Sequence, residues 1–176
     1  GYYLEEEPYL FRAAKGAAED RRFQLLSESL RSSTFLVHVR RATVGDIDSL
    51  NSHPFRHGTW MFAHNGTIFD FDKIEDRLLD EVLPEFRPLI FGSTDSERYF
   101  YFLLSHMTRA GISKSGRGEI DIEVAAKAQQ DALSKIFSWC QELGIDAPKA
   151  NYILTNGSVM FARRAGLELY LSTQKQ

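Results

Sequence analysis

Four short polar blocks between residues 38 and 97 carry side chains that could do chemistry. They read HVRRAT at 38–43, NSHPF at 51–55, FAHNGTIF at 62–69 and GSTDSE at 92–97. Arginine can grip a carboxylate, aspartate can hold an ammonium group, and amide N–H groups can stabilise negative charge. The chemistry they suggest is recognition of a small amino-acid-like molecule.

The Asn65-Gly66 pair supports two interpretations. Between two apolar runs, Asn-Gly is a strong signal for a type I′ hairpin turn, because both central residues need positive φ. This predicts strand, turn and strand over residues 58–71. The alternative is an oxyanion hole, in which the Asn65 amide and the Gly66 backbone N–H stabilise a developing oxyanion. Losing one such donor typically raises the barrier by about 2.7–4 kcal/mol.

Arg40 and Asp95 also have a structural and a functional interpretation. Arg40 could simply emerge into solvent at a strand end, or it could bind a carboxylate through two hydrogen bonds. Thr94-Asp95-Ser96-Glu97 matches a capping box that opens a helix running to about Arg109, yet Asp95 could also bind an amine. Arg40, Asp95 and Asn65-Gly66 together would fit an α-amino acid with a reactive side-chain carbonyl.

The histidines and the cysteine suggest other chemistry. His53, His57 and His64 are clustered, and His38 lies upstream, so a metal site is an alternative. However, Pro54 disfavours a helix carrying His53 and His57 as ligands four residues apart, and we predict no metal. Cys140, the single cysteine, lies on the apolar stripe of a predicted helix and is assigned to the core.

Composition bounds the class of protein. The 176 residues are 43% hydrophobic with a formal net charge of -3, enough for one domain with a substantial core. The mild charge argues against a nucleic-acid surface, and no apolar run is long enough for a membrane span. We expect a cytoplasmic protein with a small-molecule substrate, no cofactor and no nucleic-acid or membrane partner. The sequence leaves a homo-oligomer open.

The pattern of elements predicts an α+β domain over residues 1–176 with mostly antiparallel strands. The predicted strands are two within the first twelve residues, a buried one at 33–40 and a hairpin around Asn156-Gly157. The predicted helices lie near 17–31, from Asp70 or Asp72 to Val82, from the capping box to Arg109, and from Ile122 to Leu143 before Gly144.

In this order, the four blocks resemble the class II glutamine amidotransferases, in particular their stand-alone branch. The resemblance is carried by His38–Thr43, Asn51–Phe55, Phe62–Ile68 and Ser93–Glu97. It implies a four-layer αββα N-terminal-nucleophile sandwich, with two stacked, mostly antiparallel sheets flanked by helices. It also implies hydrolysis of the side-chain amide of glutamine or a γ-glutamyl compound to glutamate and ammonia or an amine.

The resemblance also assigns roles to residues. Arg40, assisted by Thr43, would hold the substrate α-carboxylate, Asp95 its α-amine, and Asn65 and Gly66 the oxyanion. His64, beside them, is a further candidate substrate-binding residue.

The family's nucleophile is an N-terminal cysteine whose free α-amine acts as base. Because this chain begins with Gly1 and has no cysteine before Cys140, we expect it to be incomplete at both ends and inactive as written. The rival hypotheses are an inactive amino-acid-binding module with the same pocket and a histidine-ligated metal hydrolase.

Overall fold

The computed structural model describes residues 1–14, 16–39 and 48–173. Within these ranges the strands are β1 (Tyr2–Leu4), β2 (Glu7–Tyr9), β3 (Phe55–His57), β4 (Trp60–Thr67), β5 (Lys149–Thr155) and β6 (Met160–Arg163). The α-helices are α1 (Arg21–Ser29), α2 (Asp72–Glu81), α3 (Asp95–Arg109) and α4 (Ile122–Glu142), and a 3₁₀ turn covers Arg87–Leu89.

The strands form two antiparallel sheets, one of β1 and β2 and one in the order β3-β4-β5-β6. Successive side chains of β4 point to opposite faces. On one face, Phe62 stacks on Phe100 of α3 with ring centroids 5.3 Å apart. On the other, Met61 and Ala63 form a second apolar cluster with Tyr3 and Leu36. The α+β architecture with two antiparallel sheets flanked by helices is therefore confirmed.

Tyr3 joins the two sheets at one end of β4. Its buried hydroxyl lies 2.7 Å from the carbonyl oxygen of Thr59 and 2.8 Å from that of Thr155. The phenolic hydroxyl thus lies between two carbonyl groups, at the start of β4 and at the end of β5, and can donate its proton to either. The opposite end of β4, at residues 64–67, is where the candidate site residues lie.

The predicted hairpin turn at Asn65-Gly66 is wrong. β4 runs straight through both residues, and β5 pairs with them in the register Asn65 with Asn151 and Gly66 with Ala150. A two-residue turn with positive φ occurs instead at Glu5 (φ 48°) and Glu6 (φ 67°), between β1 and β2. The long pairing with β5 outweighs the local preference of Asn-Gly for a turn.

The helix predictions hold, and the C-terminal hairpin turns at Asn156-Gly157 as predicted. α3 ends at Arg109, and α4 ends just before Gly144, whose φ is +66°. The N-cap of α2, however, is Phe71, which makes no side-chain capping bond.

The buried strand predicted at 33–40 is wrong in its described part. That part forms a single bridge, between Phe35 and Tyr2, and Leu36 is its buried residue. Val37 and Val39 are 68% and 81% exposed. The apolar pattern was therefore a poor guide to burial in this segment.

No helix in the described ranges combines the length and the apolar character needed to cross a lipid bilayer.

Candidate active site

The structure brings three of the four polar blocks together. Asn51 clasps Ser93, because its side-chain oxygen accepts the Ser93 backbone N–H at 2.8 Å and its amide nitrogen donates to the Ser93 hydroxyl at 3.2 Å. The loop at 51–55 is thereby fixed to the residues that precede α3. The FAHNGTIF block contacts the start of α3 through two hydrogen bonds, between Ile68 and Asp95 and between His64 and Ser96.

Asp95 is the first residue of α3, and it is only 4% exposed. One of its carboxylate oxygens, Oδ2, accepts the backbone N–H of Ile68 at 2.8 Å. Ile68 directly follows β4, three residues after Asn65. This bond holds the start of α3 against the end of β4.

The start of α3 is shaped by its neighbours as predicted, with one difference. Thr94 caps the helix by accepting the Glu97 backbone N–H at 3.4 Å. In a capping box the Glu97 carboxylate would return to the Thr94 N–H. Here it accepts the N–H of Gly92 at 2.6 Å instead. Two residues further back, the same carboxylate fixes the loop that leads into the helix.

The side chain of His64, a residue of β4, lies against α3 and β5 and is 2% exposed. Its Nδ1 lies 2.9 Å from the Ser96 hydroxyl, and its Nε2 lies 3.0 Å from the backbone carbonyl oxygen of Lys149. Ser96 in turn lies 3.1 Å from Oδ1 of Asp95. His64, Ser96 and Asp95 therefore form one buried hydrogen-bonded chain.

Burial lowers the pKa of His64 below its usual value. The Asp95 carboxylate and the hydrogen bond to the Lys149 carbonyl oppose this effect without reversing it. The neutral imidazole therefore predominates at pH 7. Because a carbonyl oxygen can only accept, the proton of the neutral ring is on Nε2.

Gly66 has a steric reason to be glycine. A Cβ atom at this position would lie 1.7 Å from the Lys149 carbonyl oxygen and 2.8 Å from His64 Nε2. Glycine therefore allows β5 to approach β4 closely at this position. The same Lys149 carbonyl oxygen accepts the hydrogen bond from His64.

The side chain of Asn65 is exposed. It points to the same face of β4 as Met61 and Ala63, and His64 points to the opposite face. Asn65 is thus reachable by a ligand from solvent.

Arg40 and Thr43 lie outside the described residues. The chain is described up to Val39, and the His38 ring packs on His53 with centroids 4.2 Å apart. Of the predicted site residues, the structure thus brings together His64, Gly66 and Asp95, with Asn65 next to them on the strand.

Sequence reasoning missed the supporting residues. Ser96 lies inside the GSTDSE block, so its position was a signal, but the block was interpreted through Asp95 alone. Lys149 contributes a backbone carbonyl, and no side-chain pattern can reveal it.

The remaining reactive side chains are engaged elsewhere. His57 packs edge-on against Phe86 with centroids 4.9 Å apart, and Cys140 is buried, which raises the pKa of its thiol. Across residues 1–14, 16–39 and 48–173, no group of three or more histidine, cysteine or acidic side chains is placed to hold a metal ion.

Known proteins share this fold. A glutamine aminotransferase class-II domain protein from Silicibacter pomeroyi superposes with a TM-score of 0.70 at 23% identity, over 96% of this chain and 66% of that one. The fold is therefore that of a class II glutamine amidotransferase domain, an N-terminal-nucleophile type of sandwich.

Sequence similarity gives the family. The family described as "Glutamine amidotransferases class-II" matches this chain over residues 1–175. "Probable glutamine amidotransferase DUG3" of Saccharomyces cerevisiae is 31% identical over 166 residues, which cover 91% of this chain and 46% of that protein. The γ-glutamyl-hercynylcysteine sulfoxide hydrolase of Mycobacterium tuberculosis is 36% identical over 69 residues, 39% of this chain and 30% of that one. The chain belongs to the class II glutamine amidotransferases, and it spans less than half the length of these two relatives.

Proposed function

We propose that this chain forms the substrate pocket of an enzyme that hydrolyses the side-chain amide of glutamine or a γ-glutamyl compound. The products are glutamate and ammonia, or glutamate and an amine. Family membership supports this reaction class, and one relative is named as a hydrolase of a γ-glutamyl compound. The proposed setting is the cytoplasm, with a small molecule as partner.

The observation that carries the proposal is the buried carboxylate of Asp95. Its Oδ2 is held by the Ile68 N–H, so the group is oriented before any ligand arrives. A nearly buried carboxylate is a strong partner for an ammonium group, because little water competes with the ion pair. Asp95 is proposed to bind the α-amine, and Arg40 with Thr43 to bind the α-carboxylate.

The scissile amide is proposed to lie beside Asn65 and Gly66. In the proposed reaction an N-terminal cysteine thiolate attacks the amide carbon, and the carbonyl oxygen becomes an oxyanion. The Asn65 side-chain amide and the Gly66 N–H would stabilise that charge. The amine leaves with a proton, and water then hydrolyses the thioester to glutamate and free thiol.

Calorimetric titration of this chain with glutamine and glutamate tests the pocket. Asp95→Asn keeps the shape and an acceptor for the Ile68 N–H but removes the charge, so we expect at least about a tenfold loss of affinity. Asp76→Asn is the matched control, because Asp76 is exposed on α2. Equal affinities for the Asp95→Asn and Asp76→Asn variants would contradict the amine-binding role.

Turnover separates the enzyme from a binding module. In the complete protein, Asn65→Ala should lower kcat for ammonia release about 100-fold or more while KM changes little, because the donor acts on charge that develops in the transition state. Ligand binding without any ammonia release from the complete protein would favour the binding module.

A further inference from the structure

The buried chain of His64, Ser96 and Asp95 has one proton too few to satisfy every contact in one state. The Lys149 carbonyl fixes a proton on His64 Nε2, so Nδ1 of the neutral ring is an acceptor. The Ser96 hydroxyl has a single hydrogen and lies within hydrogen-bond distance of both His64 Nδ1 (2.9 Å) and Asp95 Oδ1 (3.1 Å). It can donate to only one of them at a time.

Two arrangements follow. With neutral His64, the Ser96 hydroxyl donates to Nδ1, and Asp95 Oδ1 is not engaged by Ser96. With protonated His64, the Nδ1–H donates to the Ser96 oxygen, and the Ser96 hydroxyl turns to donate to Asp95 Oδ1. In the second arrangement Oδ1 accepts a hydrogen bond from Ser96, and an imidazolium charge lies one hydroxyl group away from the carboxylate.

We propose that Ser96 is a positioning residue that couples the protonation of His64 to the availability of Asp95 for the ammonium group of the substrate. The inference rests on the amine-binding role proposed for Asp95. Neutral His64 leaves Oδ1 to the ligand, whereas protonated His64 adds a competing hydrogen bond to Oδ1 and a repelling charge. Ser96 transmits the change because it is the group that touches both side chains.

The surroundings of His64 make this coupling specific. From α3 it faces Asp95 and the ring of Tyr99, with ring centroids 5.5 Å apart in an edge-on contact. From β5 it faces the Lys149 carbonyl and Tyr152, its register partner, beyond which Arg163 of β6 pairs with Tyr152. Burial raises the pKa of both tyrosines, so they stay neutral while His64 titrates.

The direction of the pH effect follows from these two arrangements. Acidification protonates His64, which engages Asp95 and weakens binding of an amine. Conversely, a bound ammonium group disfavours the imidazolium and lowers the pKa of His64, because coupling between two sites is reciprocal.

The test uses long-range ¹H–¹⁵N NMR of the histidine rings in this chain, with glutamate as the probe and His64→Gln to assign the signals. Without ligand, wild type should show the Nε2–H tautomer. Ser96→Ala should lower the pKa of His64 further, because the imidazolium loses its acceptor, and Ser96→Thr should restore it. A neutral ring protonated on Nδ1 in the wild type would overturn the proposal.

With glutamate, calorimetry should show affinity at least about threefold weaker once His64 is protonated. This ratio should be smaller in Ser96→Ala, where only the imidazolium charge still acts on the ligand, and should return to the wild-type value in Ser96→Thr, which a purely structural role of the hydroxyl does not predict. A ratio unchanged in Ser96→Ala overturns the coupling. Absence of glutamate binding by wild type overturns the amine-binding role of Asp95 and the coupling with it, while the ligand-free titration still decides the hydrogen-bonded chain.

Discussion

At Gly66, β4 and β5 approach each other so closely that main-chain atoms fill the space of a side chain. The Lys149 carbonyl oxygen lies where a Cβ would be, and it also accepts the His64 hydrogen bond. A sequence can show that glycine is present, but the reason for it lies in a strand more than 80 residues away. The Asn-Gly pair predicted a turn because a local sequence pattern contains no information about the distant partner strand β5.

Gly66→Ala should destabilise the fold by about 3 kcal/mol or more, because β5 would have to move and the His64 bond would be lost. Urea unfolding followed by circular dichroism measures this loss. Gly16→Ala is the matched control, since the nearest atom to its Cβ would be 3.9 Å away. If the two variants unfolded at the same urea concentration, the steric explanation would be wrong.

At the scale of elements, Asn151 of β5 binds the chain that follows β6. Its side-chain oxygen accepts the N–H groups of Ala165 (2.6 Å) and Leu167 (3.2 Å). Its amide nitrogen donates to the carbonyls of Leu167 (3.0 Å) and Glu168 (3.1 Å). One buried amide therefore makes four hydrogen bonds to this segment, beside a backbone bond from the Ala150 N–H to the Ala165 carbonyl oxygen at 2.7 Å.

Asn151→Asp should release the segment at 165–168, because a carboxylate would face two carbonyl oxygens without a proton to donate. We expect a loss of about 2–4 kcal/mol and faster hydrogen exchange at the amides of Ala165 and Leu167. Gln130→Glu makes the same chemical change at an exposed position of α4 and should be close to neutral. Unchanged exchange at these two amides would contradict the assignment.

Elements with local signals were predictable from the sequence, and those that depend on distant partners were not. Helices α3 and α4 are each preceded by a residue whose side chain caps the helix, Thr94 and Asp121. Such a cap can be recognised from about four consecutive residues of sequence. Val37 and Val39 look like core residues, yet their exposure depends on what packs beside them. Apolar character alone does not contain that information.

The candidate site follows the same division. Asp95, Asn65 and Gly66 could be singled out because their blocks match a family in order and spacing. The chain from His64 through Ser96 to Asp95 could not, because it depends on the angle at which α3 meets β4. Arg40 and Thr43 stay predictions, outside the described residues.

At the scale of the whole molecule, buried tyrosines connect the layers. Tyr3 joins the sheets, and the Tyr152 hydroxyl donates to Gln129 of α4 at 2.7 Å. Burial raises the pKa of Tyr3, Tyr99 and Tyr152, and it raises the pKa of Tyr101 to about 12. The folded protein therefore keeps protons on these phenols at a pH where the unfolded chain releases them.

The free energy of unfolding should consequently fall as pH rises above about 10, the value for an unfolded tyrosine. The contribution of these groups to the free energy of unfolding is complete below that pH. Above it, the contribution of each tyrosine falls by up to about 1.4 kcal/mol per pH unit. Urea midpoints at pH 9, 10 and 11 measure the slope. Tyr101→Phe should make the slope shallower, and a slope equal to that of wild type would contradict the argument.

The crowding at position 66 has a consequence for protein engineering. Libraries intended to change substrate preference usually randomise every residue of a binding motif, and here that choice would discard most clones at one position before any selection for activity. Such libraries should therefore keep glycine at position 66, because any Cβ there would meet the Lys149 carbonyl oxygen.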